Sequence, residues 1–254
     1  MIYYIHQMKE RAIHMIDKRI HYYLVLDVET ANGLDDPLVY DIGGAIADKQ
    51  GRIYETFSFV IRDIFIYERF LMETAYYANK VPDYIRDLEN DNRILIDFHN
   101  ARKYILALME KYNTTDVAAY NAHFDRNALN TTQRWLTKSK YRYFFPYGTN
   151  FVCIWNMACQ TLCQRKTYKE FCEKNQLFSG NGHGTDKKAR NISTSAENVY
   201  RYLILNPNYQ EEHKGLDDVL IETEIMKRCF SSHKAMPYGK GIKRNCWMLV
   251  KRTV

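Results

Sequence analysis

No stretch of this 254-residue chain approaches the ~18 to 20 successive apolar residues that a membrane-spanning helix needs. No spanning helix is therefore expected. The N-terminal stretch carries Lys9, Glu10, Arg11, Asp17, Lys18 and Arg19 among its apolar residues. It lacks the uninterrupted apolar segment of a secretory signal, and a cytoplasmic protein is expected. The six cysteines (Cys153, Cys159, Cys163, Cys172, Cys229 and Cys246) contain no C-x-x-C pair and no zinc-ribbon spacing. Buried reduced thiols are expected, rather than a structural zinc site or a disulfide framework. No internal repeat and no low-complexity segment is visible.

What the chain does contain is a 46% hydrophobic fraction, 21 tyrosines and a net charge of +6 with a pI near 8.8. That length and apolar content suit one large α/β domain with its own core, or a domain with appendages. The mild basic excess suits an anionic partner, although solvated surface lysines account for it equally well.

The run Tyr22-Tyr23-Leu24-Val25-Leu26 followed by Asp27-Val28-Glu29-Thr30 reads as a buried strand that ends in two carboxylates. Residues two apart share a strand face, so Asp27 and Glu29 project together. Buried side by side they repel, and a divalent cation would relieve the repulsion. Taken alone, the pair reads rather as ordinary charges at a strand end, since Asp87 and Glu89 repeat the spacing in a helix-like context.

The chain before this strand, residues 1 to 19, reads as an amphipathic helical arm. After it, a strand over Leu38 to Ala47, a turn at Asp48 to Gly51 and an alternating strand over Arg52 to Arg62 form a meander. Gly43-Gly44 suggests close approach of another backbone, or a bulge. Residues 64 to 112 read as helix-rich, broken near Val81-Pro82 and Asn90 to Asn92. A short strand over Thr115 to Tyr120 turns through Asn121-Ala122-His123-Phe124-Asp125 into a helix ending near Leu136. A fifth strand spans Asn150 to Trp155, with helices at about 156 to 164 and 167 to 175. A Gly-rich basic loop follows at Ser179 to Asn191. Ser193 or Ser195 caps a further helix. The last helix spans Leu216 to Phe230, with Val219, Leu220, Thr223, Met226 and Phe230 expected on its inner face. Three antiparallel strands followed by alternating helices and strands imply a mixed sheet with helices on both faces.

Asp125 falls at a helix start after a strand, and Asp218 in the first turn of the last helix. His213 stands five residues before Asp218, the only histidine of the eight with that spacing. Asp217 reads as a helix-start charge favoured by the dipole. Four carboxylates select Mg²⁺ or Mn²⁺ over zinc. A pair of such ions can hold both oxygens of a phosphodiester displacement, and an imidazole can take a proton from water near neutral pH.

The segments Asp27-Val28-Glu29-Thr30, Tyr120 to Asp125 and His213-x4-Asp218 together resemble the three exonuclease motifs of the DEDD superfamily, in its histidine (DEDDh, DnaQ-like) branch. The motifs stand in the family's order. Lys214 occupies the position where the tyrosine branch would carry its tyrosine. The resemblance implies an α/β, ribonuclease H-like mixed five-stranded sheet flanked by helices. It also implies a 3′-to-5′ exonuclease that releases nucleoside 5′-monophosphates from single-stranded DNA or RNA 3′ ends. Two Mg²⁺ or Mn²⁺ ions would be held by Asp27, Glu29, Asp125 and Asp218, with His213 as general base. Thr30 and Ala31 would meet the terminal nucleotide, and Asn121 would orient substrate or cap its helix. The exonuclease domain would span 20–231, between the 1–19 arm and a basic tail at 232–254. A polymerase or a second copy of the chain is the candidate protein partner. His123 and His183 read as structural or surface residues. Gly215 stands where the family often has alanine, and the stretch before His213 is long. The competing readings are an endonuclease on the same fold and a non-catalytic nucleic-acid- or polymerase-binding module.

Overall fold

The computed structural model describes residues 16–73, 75–137, 142–179, 191–239 and 245–251. Its centre is a six-stranded mixed sheet in the order β4-β3-β2-β1-β5-β6. The strands are β1 (Tyr22–Ala31), β2 (Leu38–Asp48), β3 (Ile53–Ile61), β4 (Ile94–Ile96), β5 (Asp116–Ala119) and β6 (Asn150–Cys153). The first three form the expected antiparallel meander. The turn at Asp48 to Gly51 closes on a Gly51 N–H to Asp48 carbonyl bond of 2.9 Å, with Gly51 at φ +75°. β5 adds parallel to β1, and β6 parallel to β5. A separate two-stranded ribbon joins β7 (Phe178–Ser179) to β8 (Asn191–Ile192).

The sheet has one more strand than expected. Ile94–Ile96 pairs parallel with β3, Phe59 opposite Ile94 and Ile61 opposite Ile96. Three apolar residues after a polar break carry no period that separates strand from helix, so only the neighbouring edge defines them. The expected alternation of β3 does not appear as a buried and an exposed face: Ile53 and Thr56 are exposed, with Tyr54 and Glu55 half-buried between them. Phe57, Phe59, Val60 and Ile61 are all buried, because helices cover both faces there.

Nine helices flank the sheet among the described residues: α1 (Arg62–Phe65), α2 (Arg69–Met72), α3 (Val81–Glu89), α4 (Phe98–Lys111), α5 (Ala122–Leu136), α6 (Ile154–Gln160), α7 (Lys166–Lys174), α8 (Ala196–Leu203) and α9 (Gly215–Phe230). Pro82 lies in the first turn of α3, where its missing N–H costs nothing. The Asp97 carboxylate accepts from the Asn100 N–H at 2.9 Å and caps α4; Ser195 caps α8 in the same way at 3.3 Å. None of these helices is long and apolar enough to cross a membrane. Of the N-terminal arm, residues 1–15 lie outside the described residues, and Lys18 and Arg19 form a turn rather than helix. The 179–191 loop lies almost wholly outside them.

The alternation of β1 divides the interior. Tyr22, Leu24, Leu26 and Val28 enter one core with Phe98, Ile105 and Leu108 of α4 and Leu129 of α5. Val25 enters the other, beside Met157 and Cys159 of α6 and Val219, Ile225 and Met226 of α9, with the half-buried Tyr23 packed against it. Asp27 and Glu29 follow Val25 on that second face by their period of two. All six cysteines are free and buried. Cys246 and Val250 of the C-terminal segment are buried in the second core.

Candidate active site

The site forms where α9 begins against β1 and β2. Gly43 of β2 lies opposite Asp27 in the ladder. A Cβ added at Gly43 would stand 2.0 Å from the Gly215 carbonyl carbon, and one at Gly215 would stand 2.5 Å from the Gly43 N. The two glycines therefore let backbone meet backbone, which is the close approach that Gly43-Gly44 suggests. Any side chain at Gly43 would push the helix away from the strand that carries Asp27.

A buried polar network holds the loop that feeds this helix. Asp41, directly opposite Glu29 in the ladder, is fully buried. Its carboxylate accepts two bonds of 2.8 Å from the Arg93 Nη1, one of 2.7 Å from the Tyr84 hydroxyl and one of 2.9 Å from the Gly215 N–H. Lys214 and Arg93 both reach the Asp87 carboxylate, at 2.8 and 3.2 Å. The register between β1 and β2 shifts by one residue between Glu29 and Thr30, with Tyr40 of β2 as the extra residue. Such a bulge re-aims the side chains around it.

Glu29, His213 and Asp218 each offer a ligand atom within 4.8 Å of the others. Asp27 sits among Glu222, Asp125, Glu29 and Asp218. Asp125, from the first turn of α5, is 5% exposed and receives the Val28 backbone N–H. All five expected acid and histidine positions thus gather at one end of the sheet. Burial, then mutual repulsion, raises the acids. Glu29 is pushed to about 9 by burial and then Asp218, and Asp218 to about 8 by burial and then Glu211. Burial pushes Asp125 to about 7. Asp27 is raised well above its ordinary value, by burial and then by Glu222.

His213 takes the left-handed backbone conformation, φ +49°. Its ring stacks on Tyr77 at 4.3 Å and 13°, and its Nδ1 lies 3.9 Å from the Glu211 carboxylate. Burial, then the Lys80 charge, lowers its pKa below that of an ordinary imidazole. The ring is therefore neutral near pH 7 and has a lone pair for a proton.

The remaining expected residues lie further from this cluster or face away from it. Thr30 is half-buried beyond the bulge. The Ala31 side chain is buried in the first core. Asn121 is exposed at the start of α5 and makes no side-chain cap. His123 is exposed, and His183 lies outside the described residues. Leu220, expected on the inner face of α9, is 43% exposed; Ile221 and Ile225 are inside instead.

Several residues escape a motif-based reading. Asp41 had a signal, a lone charge within an apolar strand, as did Glu222, four residues after Asp218. Arg93, Tyr84 and Tyr77 had none, because only the fold brings them to the loop.

The acids fit hard divalent cations. They are oxygen donors in a buried setting, and the Asp218 Oδ1 and Glu222 Oε2 have no hydrogen-bond partner among the described residues. The charges that most raise Asp27 are the acids Glu222, Asp125, Glu29 and Asp218.

No protein-family model and no curated protein matches the chain. Solved structures do. The nuclease domain of 3′hExo, a DEDDh family member bound to rAMP, aligns with a TM-score of 0.50 at 14% identity, over 85% of this chain and 95% of that one. A structure of 3′-end-specific recognition of a histone mRNA stem-loop by a 3′-exonuclease aligns at 0.49 and 13%, over 91% and 71%. The S. pombe Pop2p, in its Mg²⁺- and Mn²⁺-bound form, aligns at 0.47 and 12%, over 89% of each chain. The chain shares the mixed α/β fold of the 3′hExo nuclease domain.

Proposed function

We propose that the chain is a DEDDh-type nuclease, a metal-dependent 3′-to-5′ exonuclease that releases nucleoside 5′-monophosphates. The observation that carries this reading is the meeting of Glu29, His213 and Asp218 within 4.8 Å, with Asp27 and Asp125 beside them. The shared fold, seen in a nuclease domain bound to rAMP, supports it.

In this reading Asp27, Glu29, Asp125 and Asp218 hold two divalent cations, Mg²⁺ or Mn²⁺. Bound there, the cations supply Lewis acidity at a phosphate and acidify water. His213, neutral and half-buried, accepts the proton of the attacking water. Tyr77 fixes the plane of the imidazole by stacking. The Asp41–Arg93 network fixes the backbone that follows it through Lys214 and Gly215. In the same reading Thr30 and Ala31 meet the terminal nucleotide.

The test is digestion of a 5′-labelled single strand with Mg²⁺ or Mn²⁺. A stepwise ladder is expected, together with an intact circular single strand. Cleavage of the circle would instead identify an endonuclease. Inertness on both DNA and RNA with both metals would overturn the proposal. Matched DNA and RNA strands in the same assay assign the sugar preference.

A further inference from the structure

We propose that Glu222 is a further ligand of the cation held by Asp27 and Asp125, a carboxylate outside the three motifs. The inference rests on the nuclease reading above. Glu222 lies one helical turn after Asp218 in α9, so the two project from the same face. It is 3% exposed on a helix face otherwise filled by Val219, Ile225, Met226 and Cys229. An aliphatic side chain would suit that position as well. The backbone N–H of Tyr120, just past the end of β5, donates to its carboxylate. Its Oε2 is buried and has no hydrogen-bond partner among the described residues.

A buried oxygen left without a donor costs about 1–3 kcal/mol, and more when charged. The acids acting on Glu222 are Asp125, Asp218 and Glu211. For Asp27, Glu222 is the strongest acidic neighbour, ahead of Asp125. Glu222 is thus an electrostatic neighbour of both Asp27 and Asp125, two of the acids that the resemblance assigns to the metal ions. A divalent cation satisfies its free oxygen and neutralises the group at once.

Mn²⁺ binding without nucleic acid tests this, by calorimetry and by the metal-induced rise in Tm. Wild type, Glu222→Gln and Asp27→Asn are compared. Glu222→Gln keeps shape and the Tyr120 bond. It should weaken Mn²⁺ binding at one site at least about ten-fold, the scale of lost ligand support, with an unchanged circular dichroism spectrum. If wild type binds Mn²⁺, Asp27→Asn loses it and Glu222→Gln binds as wild type does, the Glu222 assignment is wrong while the nuclease reading stands. If wild type binds no Mn²⁺, both fall. Should Glu222→Gln not fold, Glu222→Asp keeps the charge and withdraws the oxygen by one methylene. Weakened binding in that variant supports the assignment, and wild-type binding overturns it.

Discussion

At the residue scale, the dominant fact is that several buried and half-buried acids share one space. Glu29 near 9, Asp218 near 8 and Asp125 near 7 all lie above the ordinary carboxylate values of about 4. The metal-free native state therefore holds protons that the unfolded chain releases near pH 4. Stability from these groups is fully present below that pH and is lost as pH rises through the native values. In chelator, Tm should fall between about pH 5 and about pH 9, and Asp218→Asn should flatten the slope. Thermal melts across that range check it; identical slopes in wild type and variant would count against the cluster. The same repulsion makes cations stabilising. At ligand concentrations of about 100 Kd the gain is about 2.7 kcal/mol, read as a rise in Tm on adding Mn²⁺ and its reversal by chelator. His213→Ala should leave that metal-induced rise largely intact while activity falls at least about 100-fold, the usual contribution of a general base. An equal loss of metal binding and activity would make the histidine a ligand instead.

At the element scale, the start of α9 is placed by two independent features. The first is the Gly43–Gly215 backbone contact. Gly43→Ala forces a methyl into a gap that does not exist, and overpacking of this kind costs about 1–3 kcal/mol, occasionally more. Activity should fall along with Tm, because Asp218 and His213 move away from β1 together. An active Gly43→Ala enzyme of wild-type Tm would refute that coupling. The second feature is Asp41, held by Arg93, Tyr84 and the Gly215 N–H. Removing the cation by Arg93→Met leaves a buried carboxylate uncompensated, at a cost of about 3–5 kcal/mol. Chemical denaturation measures it. A loss under about 1 kcal/mol would mean that water or Lys214 replaces the guanidinium, the median worth of an exposed pair being that small.

For the whole molecule, the sheet separates two cores, and the acids sit at the end of one of them. Strand β1 feeds both cores by alternation, so its register determines which face carries Asp27 and Glu29. A slip of one residue would send both into the α4 side. This explains why the site needs the full sheet. Asp125 arrives through the parallel β5, and Asp218 through a helix laid across β1 and β2. Each acid alone is an ordinary charge near an element end.

The sequence by itself determined the local facts: the carboxylate pair at a strand end, the meander, a serine cap at 193 or 195, and the His213-to-Asp218 spacing. Periodicity and spacing are properties of neighbouring residues, so they are legible without the fold. Tertiary structure decided the rest. Ile94–Ile96 is a strand only because β3 offers it an edge. Leu220 is outside because α9 turns its acids and Ile221 toward the sheet. Arg93 meets Asp41 across 52 residues, and Tyr77 meets His213, by packing that no local pattern encodes. The acids became one site because two glycines let a helix start against a strand closely enough for buried charges to feel one another.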